Sequence, residues 1–233
     1  FAMKTESLEL KKGTLPKEIK CLKLLKEDCF PKLRKTGKWE KYNVNYLIMN
    51  LLGASIGAIQ AYHKNKLEKK VIYNICYNMI NIIKIFHSYG YVHCDIKPSN
   101  FLIQQNREYP LVLIDFGLSK PHIDPSTNKP YPMKSDLIFS GTRKYSSVNV
   151  HKGFSHGRRD DMISWFYTFL DLINGSLPWE DIKDNDQMIE YKQNLNISEL
   201  GNFPPQIEQI YSYINSLEYE DAVNYGKIET LFQ

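Results

Sequence analysis

Along LPKEIKCLKLLK the apolar residues Leu15, Ile19, Leu22 and Leu25 recur at helical spacing, and Pro16 suits a first turn. Ahead of that helix FAMKTESLEL alternates as a strand does, and after it YLIMNLLG is a short apolar run of strand formers closed by Gly53. Residues 1–53 therefore predict a small lobe of strands with one helix. Past Gly53 the period changes. Ile72, Ile75, Met79, Ile82, Ile83 and Phe86 recur at helix spacing up to Gly90, which is placed to cap the helix end. FLI and LVLIDFG read as two short strands joined by QQNREYP, a hairpin. Lys120 to Ser140 carries Pro121, Pro125, Pro130 and Pro132 with little periodicity, and a loop of that length inside a compact domain is usually functional. MISWFYTFLDLI is apolar nearly all round, the pattern of a helix buried at a domain centre, and Gly175 and Pro178 end it. IEQIYSYINSL and a last short helix add further helical packing, so residues 54–233 predict a mainly helical region.

Composition narrows this only a little. The 233 residues suffice for one substantial core or two small ones, and a net charge of +4 with dispersed lysines gives no reason to expect a nucleic-acid or membrane partner. Lys32, Arg34, Lys35, Lys38 and Lys41, interleaved with Trp39 and Tyr42, read as a solvated face rather than a nucleic-acid patch. Cys21, Cys29, Cys76 and Cys94 are widely spaced, which favours reduced thiols over a disulfide or zinc framework. With no run resembling a membrane span or a signal peptide, the expectation is a soluble monomer of the cytoplasm or nucleus.

The chemistry is concentrated in VHCDIKPSNFLI. Asp95, Lys97 and Asn100 share one loop after a helix, and Asp115 of Asp115-Phe116-Gly117 joins them if the hairpin folds back beside it. Two oxygen-bearing side chains and a phosphate are what Mg²⁺ accepts. Lys97 then serves as a point charge near a transferring phosphate, and Asp95 as the group that orients and deprotonates a hydroxyl. The set fits phosphoryl transfer.

HCDIKPSN followed by IDFG resembles the catalytic loop and metal-binding triplet of protein kinases, in the serine/threonine form. YLIMNLLGAS, SGTRKYSSVNVHKG, GRRDD and NGSLPWEDIK resemble the casein kinase 1 superfamily, most of all its tau-tubulin kinase branch, and the resemblance runs through to LFQ. It implies an α+β kinase-like fold, with a partial N-lobe and hinge over 1–53 and a helical C-lobe over 54–233. It also implies ATP and Mg²⁺, or Mn²⁺ in its place, as cofactors and proteins as substrates. By the same resemblance Lys4 of FAMK grips the α- and β-phosphates, Glu18 pairs with it, Asp95 is the base, Lys97 contacts the γ-phosphate, and Asn100 and Asp115 hold the metal. Met49 is implied as gatekeeper, Asn50 to Leu52 as the hinge that meets adenine, and Asp161 as the buried brace of the catalytic loop. Arg143 and Lys144 stand where relatives meet acidic or phosphorylated substrate side chains. Ser147-Val148-Asn149 replaces the more widespread A-P-E.

Two departures stand out. Cys94 occupies the place of an Arg that usually pairs with a phosphorylated activation loop, which argues against that on-switch without removing a chemical step. The sequence contains no G-x-G-x-x-G, so either the chain is a fragment of a longer kinase, the preferred reading, or the phosphate-covering hairpin is lacking. A catalytically silent kinase fold acting as a scaffold is the alternative to an active enzyme; the retained Asp95, Lys97, Asn100 and Asp115 favour the enzyme.

Overall fold

The computed structural model describes residues 1–10, 13–106 and 108–232. Arg107, inside the predicted QQNREYP turn, lies outside them. Strands β1 (Ala2–Ser7), β2 (Leu33–Trp39) and β3 (Val44–Met49) form an antiparallel sheet in the order β1-β3-β2. Burial alternates residue by residue along β1, as a strand with one covered face requires. β3 stops at Met49, so NLLG of the predicted apolar run is connection rather than strand. β2 escaped the hydrophobic pattern because it holds few apolar residues: in LRKTGKW only the end residues Leu33 and Trp39 are large and apolar, and Arg34, Lys35 and Lys38 face solvent. Helix α1 (Leu15–Leu24) buries Leu15 and Leu22 of the predicted stripe, half-buries Ile19, and adds Cys21 and Glu18; Leu25 is buried just past its end.

Helices α2 (Ile56–Tyr62) and α3 (Lys69–Ser88) follow. α3 buries Ile72, Cys76, Met79, Ile82, Ile83 and Phe86 along one face, and Gly90, just beyond its end, takes φ +79°, a conformation open to glycine without strain. β4 (Tyr91–Val92) pairs with β7 (Lys120–Pro121), and β5 (Phe101–Ile103) with β6 (Leu111–Leu113), opposing Phe101 to Leu113. The proline-rich segment adds only the two-residue strands β8 (Ile123–Asp124) and β9 (Lys129–Pro130).

After α4 (Val148–His151), α5 (Arg158–Asn174) forms the centre of the helical part: every residue from Arg159 to Leu172 is buried. Trp165 Nε1 donates to Cys76 O at 3.0 Å and so ties α5 to α3. α6 (Asn185–Gln193), α7 (Ile197–Leu200), α8 (Pro205–Asn215) and α9 (Tyr225–Phe232) complete the α+β architecture. Phe232 of α9 packs edge-on to Trp165 with centroids 5.3 Å apart. Among the described residues no helix is long and apolar enough to cross a membrane.

Candidate active site

Beyond β4 the chain turns through His93–Asn100, and the turn is fixed from α5. Asp161 Oδ2 accepts from His93 N at 2.6 Å and Oδ1 from Cys94 N at 2.9 Å, while Cys94 adopts a left-handed φ of +69°. Burial pushes the Asp161 carboxyl up, but the His87 hydrogen bond at 2.9 Å and the neighbouring histidines outweigh it and hold the group below the usual carboxylate value. His87 Nδ1 in turn meets Tyr225 Oη at 2.6 Å, so α9 supports the same brace.

The hairpin folds back against this turn. Asp95 N donates to His93 Nδ1 at 3.3 Å, which leaves His93 Nε2 to donate to Ile114 O at 3.0 Å; burial lowers this histidine's pKa and keeps the ring neutral. Ile114 N donates to Asn100 O at 2.9 Å. These two bonds bring Asp115, with φ +67°, to the side of the loop that carries Asn100.

Asp95, Lys97 and Asn100 form one cluster. Lys97 Nζ lies 2.7 Å from Asp95 Oδ2, and Asn100 Nδ2 donates to Asp95 O at 2.8 Å and Oδ2 at 3.3 Å. Thr142 adds to it: its hydroxyl donates to Asp95 Oδ1 at 2.6 Å and accepts from Lys97 Nζ at 2.9 Å. Lys4, Glu18 and Asp115 form a second cluster, with Lys4 Nζ 2.7 Å from Glu18 Oε2 and 2.8 Å from Asp115 Oδ1. Burial lowers the Lys4 pKa, but Asp115 and Glu18 outweigh it and leave the ammonium above its ordinary value. Burial also raises Asp115, and there the Lys4 hydrogen bond prevails and holds the carboxyl down. At Glu18 burial wins over Lys4 and pushes the carboxyl up.

Asn100 turns its amide nitrogen to Asp95 and so leaves Oδ1 available, and Asp115 is 44% exposed beside it. An amide oxygen and a carboxylate suit a hard cation that takes its remaining ligands from phosphate and water.

Met49 is half-buried against the core, Asn50 accepts from Lys32 N through Oδ1 at 2.7 Å, and Leu52 is half-buried. Arg143 and Lys144 follow directly on Thr142, and their side chains find partners outside both clusters. Arg143 is exposed and donates to Lys183 O at 2.9 Å, whereas Lys144 meets Asp171 at 2.8 Å and Glu180 at 2.6 Å.

The protein kinase domain model matches residues 1–221 of the chain. The chain belongs to the protein kinase family. This kinase domain is 35% identical over 239 aligned residues to a probable serine/threonine-protein kinase of Dictyostelium discoideum, covering 99% of this chain and 47% of that protein. It is 32% identical over 230 residues to a probable casein kinase I homolog of Encephalitozoon cuniculi, covering 94% of this chain and 75% of the relative. The kinase domain thus spans about half the length of the first relative.

Three residues of the site region were not legible as such. Thr142 lies inside the quoted GTRKY stretch, and Gly141 before it gave the one local signal: at φ +110° its added Cβ would stand 2.8 Å from Cys94 O. His87 and Tyr225 gave none, since a lone His at a helix end and a lone Tyr in a short amphipathic helix are ordinary core residues.

Proposed function

We propose that this kinase domain is the catalytic part of a serine/threonine protein kinase of the casein kinase 1 superfamily, close to its tau-tubulin branch, that transfers the γ-phosphate of ATP to Ser or Thr hydroxyls of proteins. The observation that carries the reading is the Asp95 carboxylate, held at 2.7 Å by Lys97 and at 2.6 Å by Thr142. Asp95 Oδ2 orients the substrate hydroxyl and takes its proton, and Lys97 places a positive charge beside the transferring group. Lys4, held by Glu18, receives the α- and β-phosphates. Met49, Asn50 and Leu52 line the adenine side, Asn50 fixing the connection through its bond to Lys32 N. Asn100 Oδ1 and Asp115 would hold Mg²⁺, or Mn²⁺ in its place; the ion when bound would neutralise phosphate charge. Catalysis then rests on positioning and electrostatics.

A preference for acidic or phosphorylated side chains near the target hydroxyl belongs to the proposal. Two carboxylates already meet Lys144, so Arg143 is the residue on which that preference chiefly depends. The protein would act as a monomer in the cytoplasm or nucleus. The test is phosphate transfer to an acidic peptide followed by phosphoamino-acid analysis. Phosphoserine and phosphothreonine are expected. ATP binding with no transfer would favour the scaffold reading, and phosphotyrosine would overturn the substrate class.

A further inference from the structure

Lys192 of α6 is 1% exposed, and among the described residues its ammonium has no carboxylate partner. A charge buried in that way is costly unless each of its protons finds an acceptor. Here each does. Nζ lies 2.7 Å from Ser146 O, 2.8 Å from Arg143 O and 3.2 Å from His151 Nε2. His151 Nδ1 faces Asn185 Oδ1 at 3.0 Å, and Nε2 lies 3.2 Å from Arg143 O as well as from Lys192 Nζ; with the ring proton on Nδ1, Nε2 accepts from the ammonium. The rings of Tyr167 and Trp179 cover the ammonium at 5.1 and 5.5 Å. The two carbonyls belong to the segment directly after Thr142, the residue that touches both Asp95 and Lys97.

We propose that Lys192 is a positioning residue of the phosphoryl-transfer site: by gathering the carbonyls of Arg143 and Ser146 it fixes the segment that holds Thr142 against Asp95. The kinetic consequence rests on the kinase reading; the mechanical one does not.

The ammonium is poised to titrate. Burial first, then the Arg143 guanidinium, brings Lys192 down to about 7. The other titratable groups that face it stay neutral: His151 of α4 is lowered to about 4, chiefly by burial, and burial pushes the Tyr167 phenol of α5 far up. The Lys144 ammonium turns away to Asp171 and Glu180. A neutral amine keeps two protons and gains a lone pair, so one of the three acceptors is released as pH rises through that value. Global stability moves the other way. Between the folded value near 7 and the ordinary 10.5 the unfolded chain binds more protons, so stability rises with pH across that window. Positioning and folding therefore have opposite pH signs.

The test compares wild type, Lys192→Met and Lys192→Arg in hydrogen exchange and in peptide phosphorylation from about pH 6 to about pH 9. In Lys192→Met, amides of residues 142–152 should exchange about tenfold faster or more. Peptide kcat/KM should fall about tenfold with the KM for ATP nearly unchanged. Wild-type activity should decline toward alkaline pH while Tm does not, and Lys192→Arg, charged throughout, should flatten that decline. If Lys192→Met does not fold, the Lys192→Arg profile decides. Unchanged exchange over 142–152, a parallel fall of Tm and activity, or an Arg variant with the wild-type profile would overturn the proposal. An inactive wild type whose exchange still responds to Lys192→Met would defeat the kinase reading and leave the positioning role standing.

Discussion

Lys4 Nζ sits 2.7 Å from Glu18 Oε2, a carboxylate that is 2% exposed and belongs to the buried face of α1. Burial raises the Glu18 pKa above 4.5 in spite of Lys4. The stability this group contributes is therefore present below pH 4.5 and lost as pH rises through its folded value, while the raised Lys4 and the lowered Asp115 contribute stability that is present at neutral pH. Glu18→Gln keeps a hydrogen-bonding partner for Lys4 and removes the buried charge. Its Tm should stay level or rise, while, on the proposed role of Lys4 at the ATP phosphates, turnover falls about 10- to 100-fold. Scanning calorimetry beside steady-state kinetics checks both; a lower Tm with unchanged turnover would count against this account.

Asp161 carries the opposite sign. Its folded pKa lies below the ordinary 3.8, so its contribution is complete above that value and is lost only as pH falls through the folded one. Asp161→Ala strands His87 and the amides of His93 and Cys94, and should cost about 3 kcal/mol in urea denaturation. Tyr225→Phe removes one bond of the same chain and should cost about 1 kcal/mol.

Gly141 packs its backbone against the loop that carries Asp95. With φ +110° and an added Cβ only 2.8 Å from Cys94 O, Gly141→Ala forces the chain away from Asp95. A loss of about 1–3 kcal/mol is expected. Phosphate transfer should drop more than the fraction unfolded explains. Activity measured at a temperature where the variant remains folded separates the two effects.

The four cysteines should be inert in the folded protein. All are buried, and burial raises Cys21 and Cys29 to about 12 and Cys94 well above its ordinary value. A disulfide thiol reagent should find almost no reactive group until the chain is unfolded, when all four should titrate. Rapid reaction at Cys94 in the native state, with loss of activity, would instead point to redox control.

The long elements were legible because burial writes itself into the sequence: α3 emerged from apolar spacing, and α5 from a run apolar nearly all round that Gly175 and Pro178 close. β2 did not, since LRKTGKW carries charged and small residues between its two apolar ends and so shows no alternation. The kinase motifs placed Asp95, Lys97, Asn100 and Asp115 on one loop and one hairpin, and Lys4 and Glu18 on a strand and a helix. The contacts that hold them are tertiary. Thr142 meets Asp95 across 47 positions, and Tyr225 meets His87 across 138. Lys192 was hidden for another reason: in NDQMIEYKQ a lysine reads as a solvated charge, and only packing shows that its head group is turned inward.

The central claim is that Asp95 serves as the base of a phosphoryl-transfer site, and a pair of measurements on one substitution tests it: ATP affinity and single-turnover transfer to a Ser peptide for wild type and Asp95→Asn. Asn preserves the shape and can still meet Thr142 and Lys97. The account predicts ATP affinity within about threefold of wild type. Transfer should be slower by about 10²- to 10⁴-fold. Transfer at the wild-type rate in Asp95→Asn, or a wild type that binds ATP and transfers nothing, would contradict it.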